Sequence, residues 1–152
     1  MTTLKARLRE DMTAALKARD ELTLATLRMA LTAVRTEEVA GAQARELSEE
    51  EVLAVLSREA KKRREAAEAF DGAGRTELAE RERAEGEVLA RYLPAPLPAR
   101  ELTALVSAAI AEAGATEPRQ MGQVMRLVQP RTAGRADGRR VAEEVRRQLG
   151  TG

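Results

Sequence analysis

Aromatic residues are almost missing from this sequence, and their scarcity limits the folds that are open to it. Phe70 and Tyr92 are the only aromatic residues among 152, whereas Ala, Leu, Glu and Arg are abundant. β-Sheets favour aromatic and β-branched side chains, and helices favour the residues that are abundant here. The composition therefore predicts an all-α fold, and a length of 152 residues allows one core or two small ones.

Apolar periodicity and cap signals predict four helices in the first part of the chain. The first helix is expected to end near Ala18, and Gly41 is expected to stop the second. Ser48 and Glu51 have the spacing of a capping box, which predicts the start of a long third helix. A fourth helix is expected to end near Tyr92. These segments predict an N-terminal helical domain of about four helices.

Three prolines fall within residues 94–98 and mark the clearest boundary in the chain. Prolines remove amide donors and keep the backbone extended, so a helix cannot continue through this segment. We therefore expect an N-terminal domain at residues 1–93, a proline-rich linker at residues 94–98 and a C-terminal domain at residues 99–150.

The residues after the prolines predict a smaller C-terminal domain of three helices. A strongly periodic helix is terminated by Gly114, and a short helix from about Met121 to Val128 is expected to stop at Pro130. The last helix is expected to start after Asp137, which is either a simple N-cap or a neighbour of amides that hold a phosphate. The N-cap is the favoured interpretation.

Charge is distributed unevenly along the chain. From Arg119 onward there are eight arginines against three acidic residues, a local net charge of +5, although the whole chain carries only +1. On the last predicted helix the arginines project away from the apolar stripe of Val141, Val145 and Leu149. This side could lie along a phosphate backbone, or it could be an ordinary solvated face whose arginines pair locally with Glu143 and Glu144.

Three motifs occur in a recognisable order: Arg91-Tyr92-Leu93-Pro94, then Met121-Gly122-Gln123-Val124-Met125, then Gly134-Arg135-Ala136-Asp137-Gly138. Over essentially its whole length the chain resembles the GatB/YqeY family. The resemblance implies an N-terminal helical domain followed by a smaller one that is similar to the tail of the B subunit of the tRNA-dependent amidotransferase. That tail is associated with gripping tRNA. One departure is Gln123, where the family often has Lys, which weakens the case for a phosphate contact at that position.

The resemblance and the basic C-terminal segment together predict a non-catalytic adaptor for tRNA or other folded RNA. The family also implies an association with carbon–nitrogen ligase activity that uses glutamine as amido-N-donor. The residues expected to bind RNA are Arg126, Arg131, Arg135, Arg139, Arg140, Arg146 and Arg147. The motif residues expected to have structural roles are Met121, Gly122, Gly134, Asp137 and Gly138.

The sequence offers no active site. Histidine and cysteine are both absent, which removes the commonest general base and the usual thiol and metal ligands. No catalytic residue, metal or cofactor is therefore predicted. The basic cluster Lys61-Lys62-Arg63-Arg64 is expected to be a solvated helix surface, because nearby glutamates can pair with it. Tyr92 is expected to be a packing residue at the domain junction rather than a platform for a base.

Neither a signal peptide nor an apolar segment long enough to span a membrane is apparent, so a cytoplasmic location without membrane contact is expected. The sequence also permits an alternative function. The charged N-terminal helices could dock onto an enzyme subunit or onto another copy of the chain, which would make the protein an interaction or assembly factor. The oligomeric state is left undetermined.

Overall fold

The structure of the protein is a computed structural model that describes residues 2–150. Within that range it contains seven α-helices and one short 3-10 helix, and it contains no strand. The helices are α1 Leu4–Ala18, α2 Glu21–Glu38, α3 Glu49–Gly72, α4 Thr76–Ala90, α5 Ala99–Ala113, α6 Met121–Thr132 and α7 Gly138–Leu149, with the 3-10 helix Pro118–Gln120 directly before α6. The prediction of an all-α fold is confirmed.

The chain divides into two compact units, one ending at Leu93 and the other beginning at Pro94. Helices α1 to α4 belong to the N-terminal unit, and α5 to α7 belong to the C-terminal unit. Each unit has its own cluster of buried apolar side chains. None of the helices in the described part of the chain combines the length and apolar content that a membrane span requires.

The N-terminal unit packs around large aliphatic side chains from all four of its helices, including Leu8, Leu27, Leu56 and Leu89, which are fully buried. Burying each such side chain stabilises the fold by about 1.5–3 kcal/mol. A tight connection joins α1 to α2, because the residue after α1 adopts the left-handed conformation and the next residue caps α2. The predicted end of the first helix near Ala18 is therefore confirmed.

The start of α3 is fixed by the capping box that the sequence predicts. The Glu51 amide donates to the Ser48 hydroxyl at 3.2 Å, and the Glu51 carboxylate accepts from the Ser48 amide at 3.1 Å. Arg45 also pairs with this carboxylate. Hydrogen bonds from Arg45 and from the Ser48 amide lower the pKa of Glu51 to about 2.

The C-terminal unit is a three-helix arrangement in which α7 lays its apolar stripe on α5 and α6. Val141, Val145 and Leu149 are buried, as the periodicity predicts, and they join buried residues of the other two helices. The buried partners are Leu102, Val106 and Ala109 on α5 and Val124 and Val128 on α6.

Three predicted helix ends are wrong. The second helix ends at Glu38 rather than at Gly41, and the fourth ends at Ala90 rather than at Tyr92. The largest difference is in α6, which runs through Pro130 to Thr132 instead of stopping near Val128. Pro130 lies on the exposed side of α6, so its missing amide donor disturbs the helix less than it would in the core.

Candidate nucleic-acid interface

Helix α7 presents one apolar side to the core and one basic side to solvent. Arg139, Arg146 and Arg147 are exposed, and Arg140 is half-buried at the edge of the apolar stripe. Helical periodicity places these four side chains about 100–160° around the helix axis from Val145, outside the apolar stripe. The predicted division of α7 into two faces is confirmed by the burial of its aliphatic residues.

Asp137 is the N-cap of α7, and its carboxylate accepts the amide of Arg140 at 2.9 Å. The chain turns from α6 into this cap through Gly134, whose φ of +78° is a conformation that side chains disfavour. The first turn of α7 contains no acidic residue and includes Arg139 and Arg140. The N-cap interpretation is therefore confirmed, and two guanidinium groups lie at the positive end of the helix dipole.

One arginine of α7 is largely neutralised. Arg147 pairs with Glu144, which also accepts the Thr103 hydroxyl at 3.1 Å. The Gln148 amide donates to the same carboxylate at 3.0 Å. The hydrogen bond from Arg147, followed by those from Gln148 and Thr103, lowers the pKa of Glu144 to about 2 despite partial burial. Glu144 thus links α7 to α5 and neutralises the charge of Arg147.

Two further predicted RNA contacts also have partners inside the C-terminal unit. Arg131 pairs with Glu112 at 2.6 Å. The Nε of Arg135 donates to the carbonyl of Ala95 at 3.1 Å, and its Nη2 lies 4.0 Å from the Glu101 carboxylate. Both side chains are therefore exposed but engaged by groups of the same unit.

The remaining predicted arginines divide differently. Arg126, Arg139 and Arg140 have no ion pair within residues 2–150. Arg126 extends back along α6, so that its Nη2 lies 3.9 Å from the point where a β-carbon on Gly122 would stand. Arg100, in the first turn of α5, is likewise exposed and without an ion pair in the described range. Arg100 was not among the predicted residues, because the sequence prediction counted charge only from Arg119 onward.

The second basic cluster, on α3, pairs with glutamates as the sequence predicts, but Arg63 lies between α3 and α4 instead of on a solvated surface. Lys61 lies 3.9 Å from Glu65, and Lys62 lies 3.2 Å from Glu59. Arg63 is only 19% exposed and contacts Glu59 at 3.1 Å. Lys61, Lys62 and Arg63 therefore all have carboxylate partners.

Tyr92 is enclosed in the core of the N-terminal unit. Its hydroxyl donates to Asp11 at 2.6 Å, and the guanidinium carbon of Arg7 lies 4.9 Å from the centre of its ring. Burial and the Asp11 carboxylate raise the pKa of the tyrosine. Tyr92 is thus a packing residue as predicted, but it packs in the core of the N-terminal unit instead of at the domain junction. Phe70, the other aromatic residue, is half-buried on α3.

A model of the family described as Yqey-like protein matches residues 5–149 of this chain. The chain belongs to the YqeY-like family. A comparison with curated proteins finds no match. The family match includes nearly every residue of α1 to α7 and covers the basic surface of α7. Among residues 2–150, no group of three or more acidic side chains is arranged to hold a metal ion.

Proposed function

We propose that this YqeY-like protein is a non-catalytic cytosolic adaptor that binds tRNA or another folded RNA. The contact surface is the basic side of α7, together with Arg126. One observation carries the proposal. Arg139 and Arg140 occupy the first turn of α7, where no acidic residue accompanies them.

The placement of these two arginines is unfavourable for the helix itself. A cation in the first turn opposes the helix dipole and costs about 0.3–1 kcal/mol. Asp137 already occupies the Arg140 amide, so free amides are a poorer explanation for anion binding than the guanidinium groups are. Arginines that weaken their own helix and lack carboxylate partners in the described range are well suited to phosphate contacts.

The form of RNA follows from the side chains available. Single-stranded RNA is usually held by stacking its bases on exposed aromatic rings. Tyr92 is buried, and Phe70 is half-buried, so the protein has little aromatic surface for stacking. Folded RNA can be held through its phosphates and shape, which arginines recognise without aromatic side chains.

The adaptor role combines this surface with the resemblance to the amidotransferase tail. In this proposal the protein holds tRNA for an enzyme subunit that performs carbon–nitrogen ligation with glutamine as amido-N-donor. The chain contributes binding and positioning and no reacting group of its own. Its lack of histidine and cysteine is consistent with that division of labour.

The proposal is tested by the double variant Arg139→Ala/Arg140→Ala. Fluorescence anisotropy would measure binding to unmodified tRNA between about 50 and 200 mM salt. We expect affinity to fall about tenfold or more, and the slope of log K against log salt to fall by about 1.5–2, as two phosphate contacts are lost. Removing cations from the first turn should not weaken α7, so a thermal melt should show an intact fold.

The matched control is Arg28→Ala/Arg35→Ala on α2, which removes the same charge from two exposed arginines of the N-terminal unit. Equal losses in both double variants would reduce the effect to net charge, and unchanged binding after the α7 replacements would contradict the proposal. Pull-down from lysate with and without ribonuclease adds a separate check. A complex that survives digestion would favour the alternative function as a protein-interaction factor.

A further inference from the structure

Arg135 makes two hydrogen bonds to the proline-rich segment. The Leu97 amide donates to the backbone carbonyl of Arg135 at 2.8 Å, and the Arg135 Nε donates to the Ala95 carbonyl at 3.1 Å. Leu97 itself is only 3% exposed. Residues 95–97 are therefore part of the packed unit rather than a free linker.

The two hydrogen bonds imitate a single pairing step of a parallel β-sheet. In such a step, the amide of one residue donates to the carbonyl of the residue before its partner. The carbonyl of the same residue accepts the amide of the residue after its partner. Here the partner would be Pro96, but the Arg135 amide is already used, since it donates to the Thr132 carbonyl at 3.0 Å. The side-chain Nε of Arg135 takes its place. Pro96 lacks an amide hydrogen, which this arrangement does not require.

The Leu97 amide has few alternatives. Pro96 and Pro98 carry no amide hydrogen, so Leu97 supplies the one backbone donor within residues 96–98. A buried donor that loses its acceptor is costly, which makes the Arg135 carbonyl important for this segment. The guanidinium also lies 4.0 Å from Glu101, near the start of α5.

The loop that Arg135 belongs to leads directly into the basic first turn of α7. It begins at Gly134, in the left-handed conformation, and ends at the Asp137 cap. Besides the bonds to Leu97 and Ala95, the loop backbone bonds to Thr132 at the end of α6. Fixing the loop to residues 95–97 therefore limits the positions that Arg139 and Arg140 can take.

We propose that Arg135 is a positioning residue for RNA binding, and not a phosphate contact. It locks residues 95–97 to the loop before α7 and thereby holds Arg139 and Arg140 ready for the phosphate backbone. This inference rests on the proposed function. An interface whose groups are held in place before binding loses less entropy on association, so the lock increases affinity without touching RNA.

The test compares Arg135→Lys with Arg135→Ala. Lysine keeps the charge but lacks the fixed Nε donor and planar fork of arginine. In the full-length protein without RNA, we expect both variants to raise the exchange rate of the Leu97 amide by about tenfold or more. In tRNA binding we expect both to weaken affinity several-fold, with no rescue by lysine.

The control pair is Arg131→Lys and Arg131→Ala. The Arg131 side chain makes an ion pair with Glu112, which lysine can reproduce, and neither variant should alter Leu97 exchange. The lysine variant should retain RNA affinity.

Three outcomes would overturn the inference. Wild-type RNA affinity in Arg135→Lys beside a loss in Arg135→Ala would make Arg135 a direct phosphate contact. Faster Leu97 exchange with unchanged affinity in both variants would leave only a local packing role. Unchanged Leu97 exchange would remove the lock itself. Leu97 exchange is read without RNA, so failure of the proposed function appears separately, as unchanged binding in Arg139→Ala/Arg140→Ala.

Discussion

Arg63 on α3 and Arg139 on α7 are the same residue type on two amphipathic helices, yet their surroundings are opposite. Arg63 is 19% exposed and contacts Glu59 at 3.1 Å. Its Nη1 also lies 3.5 Å from Glu82 and 3.7 Å from Glu85 on α4. Arg139 is exposed and has no ion pair in the part of the chain that the structure describes. The number of arginines in a segment therefore does not decide whether they lie between two helices or stay exposed.

The way the neighbouring helix packs determines whether the arginines are enclosed or exposed. After Ala60 in α3 and before Val88 in α4, the only buried apolar residues are the small Ala67 and Ala79. The helices also approach closely there, since a β-carbon on Gly86 would stand 3.7 Å from that of Arg63. Two helices this close leave no room for large apolar side chains, so charged groups fill the space between them. We call this charged layer the α3–α4 seam; it consists of Glu59, Arg63, Glu82 and Glu85. Helix α7 instead packs through valines and a leucine, which leaves its arginines on the outside.

The largest expected effect breaks the seam. Arg63→Ala removes the ion-pair partner of Glu82 and leaves Glu59 and Glu85 with only the exposed Lys62 and Arg81. Removal of one partner from a buried ionic cluster typically costs about 3–5 kcal/mol. Because the cluster is partly exposed, we expect the free energy of unfolding to fall by about 2–4 kcal/mol in urea titrations.

The comparison variant for Arg63 is Lys61→Ala, which removes the exposed ion pair between Lys61 and Glu65, 3.9 Å long, on the same helix. Such a pair stabilises a helix by about 0.5 kcal/mol or less. Similar losses in Arg63→Ala and Lys61→Ala would mean that the seam contributes no more than an ordinary surface pair.

The seam also shows which features of the fold can be predicted from sequence. Helix caps depend on residues three apart, so Ser48 with Glu51 and Asp137 with its helix were predictable. The pairing of Arg63 with Glu59 is equally local. The contribution of Glu82 and Glu85 was not predictable, because it depends on how two helices align after a turn.

The candidate site divides in the same way. The pairing of Arg147 with Glu144, three residues away, follows from helical spacing and was one of the two interpretations left open by the sequence. The partners of Arg131 and Arg135 lie 19 and 40 residues away in sequence. Only the folded chain brings them together, so sequence alone could not separate packing arginines from displayed ones.

A second prediction concerns Glu144, whose carboxylate links α7 to Thr103 on α5 and pairs with Arg147. Its pKa in the folded protein is lowered from 4.5 to about 2, so its contribution to stability is complete above about pH 4.5 and is lost as the pH falls through about 2. We expect Glu144→Gln to lower the free energy of unfolding by about 1–2 kcal/mol at pH 7.

The difference between Glu144→Gln and the wild type should shrink steadily below about pH 4.5, as urea titrations at several pH values would show. Glu143→Gln is the control, because Glu143 is exposed and has no ion pair in the described range. A constant difference between Glu144→Gln and wild type from pH 7 to pH 2 would show that the carboxylate charge is not the stabilising element.

The smallest expected effect is a gain in tRNA affinity when Arg147 on α7 is released from its ion pair. Glu144→Gln releases Arg147 from its carboxylate, whereas Glu143→Gln makes the same change in net charge and releases no pair. If α7 binds RNA, the first variant should bind tRNA a few-fold more tightly than the second, with a salt slope larger by up to about 0.9, the value for one added phosphate contact. Equal affinities would show that Arg147 does not reach a phosphate even when released, and would remove Arg147 from the proposed binding surface.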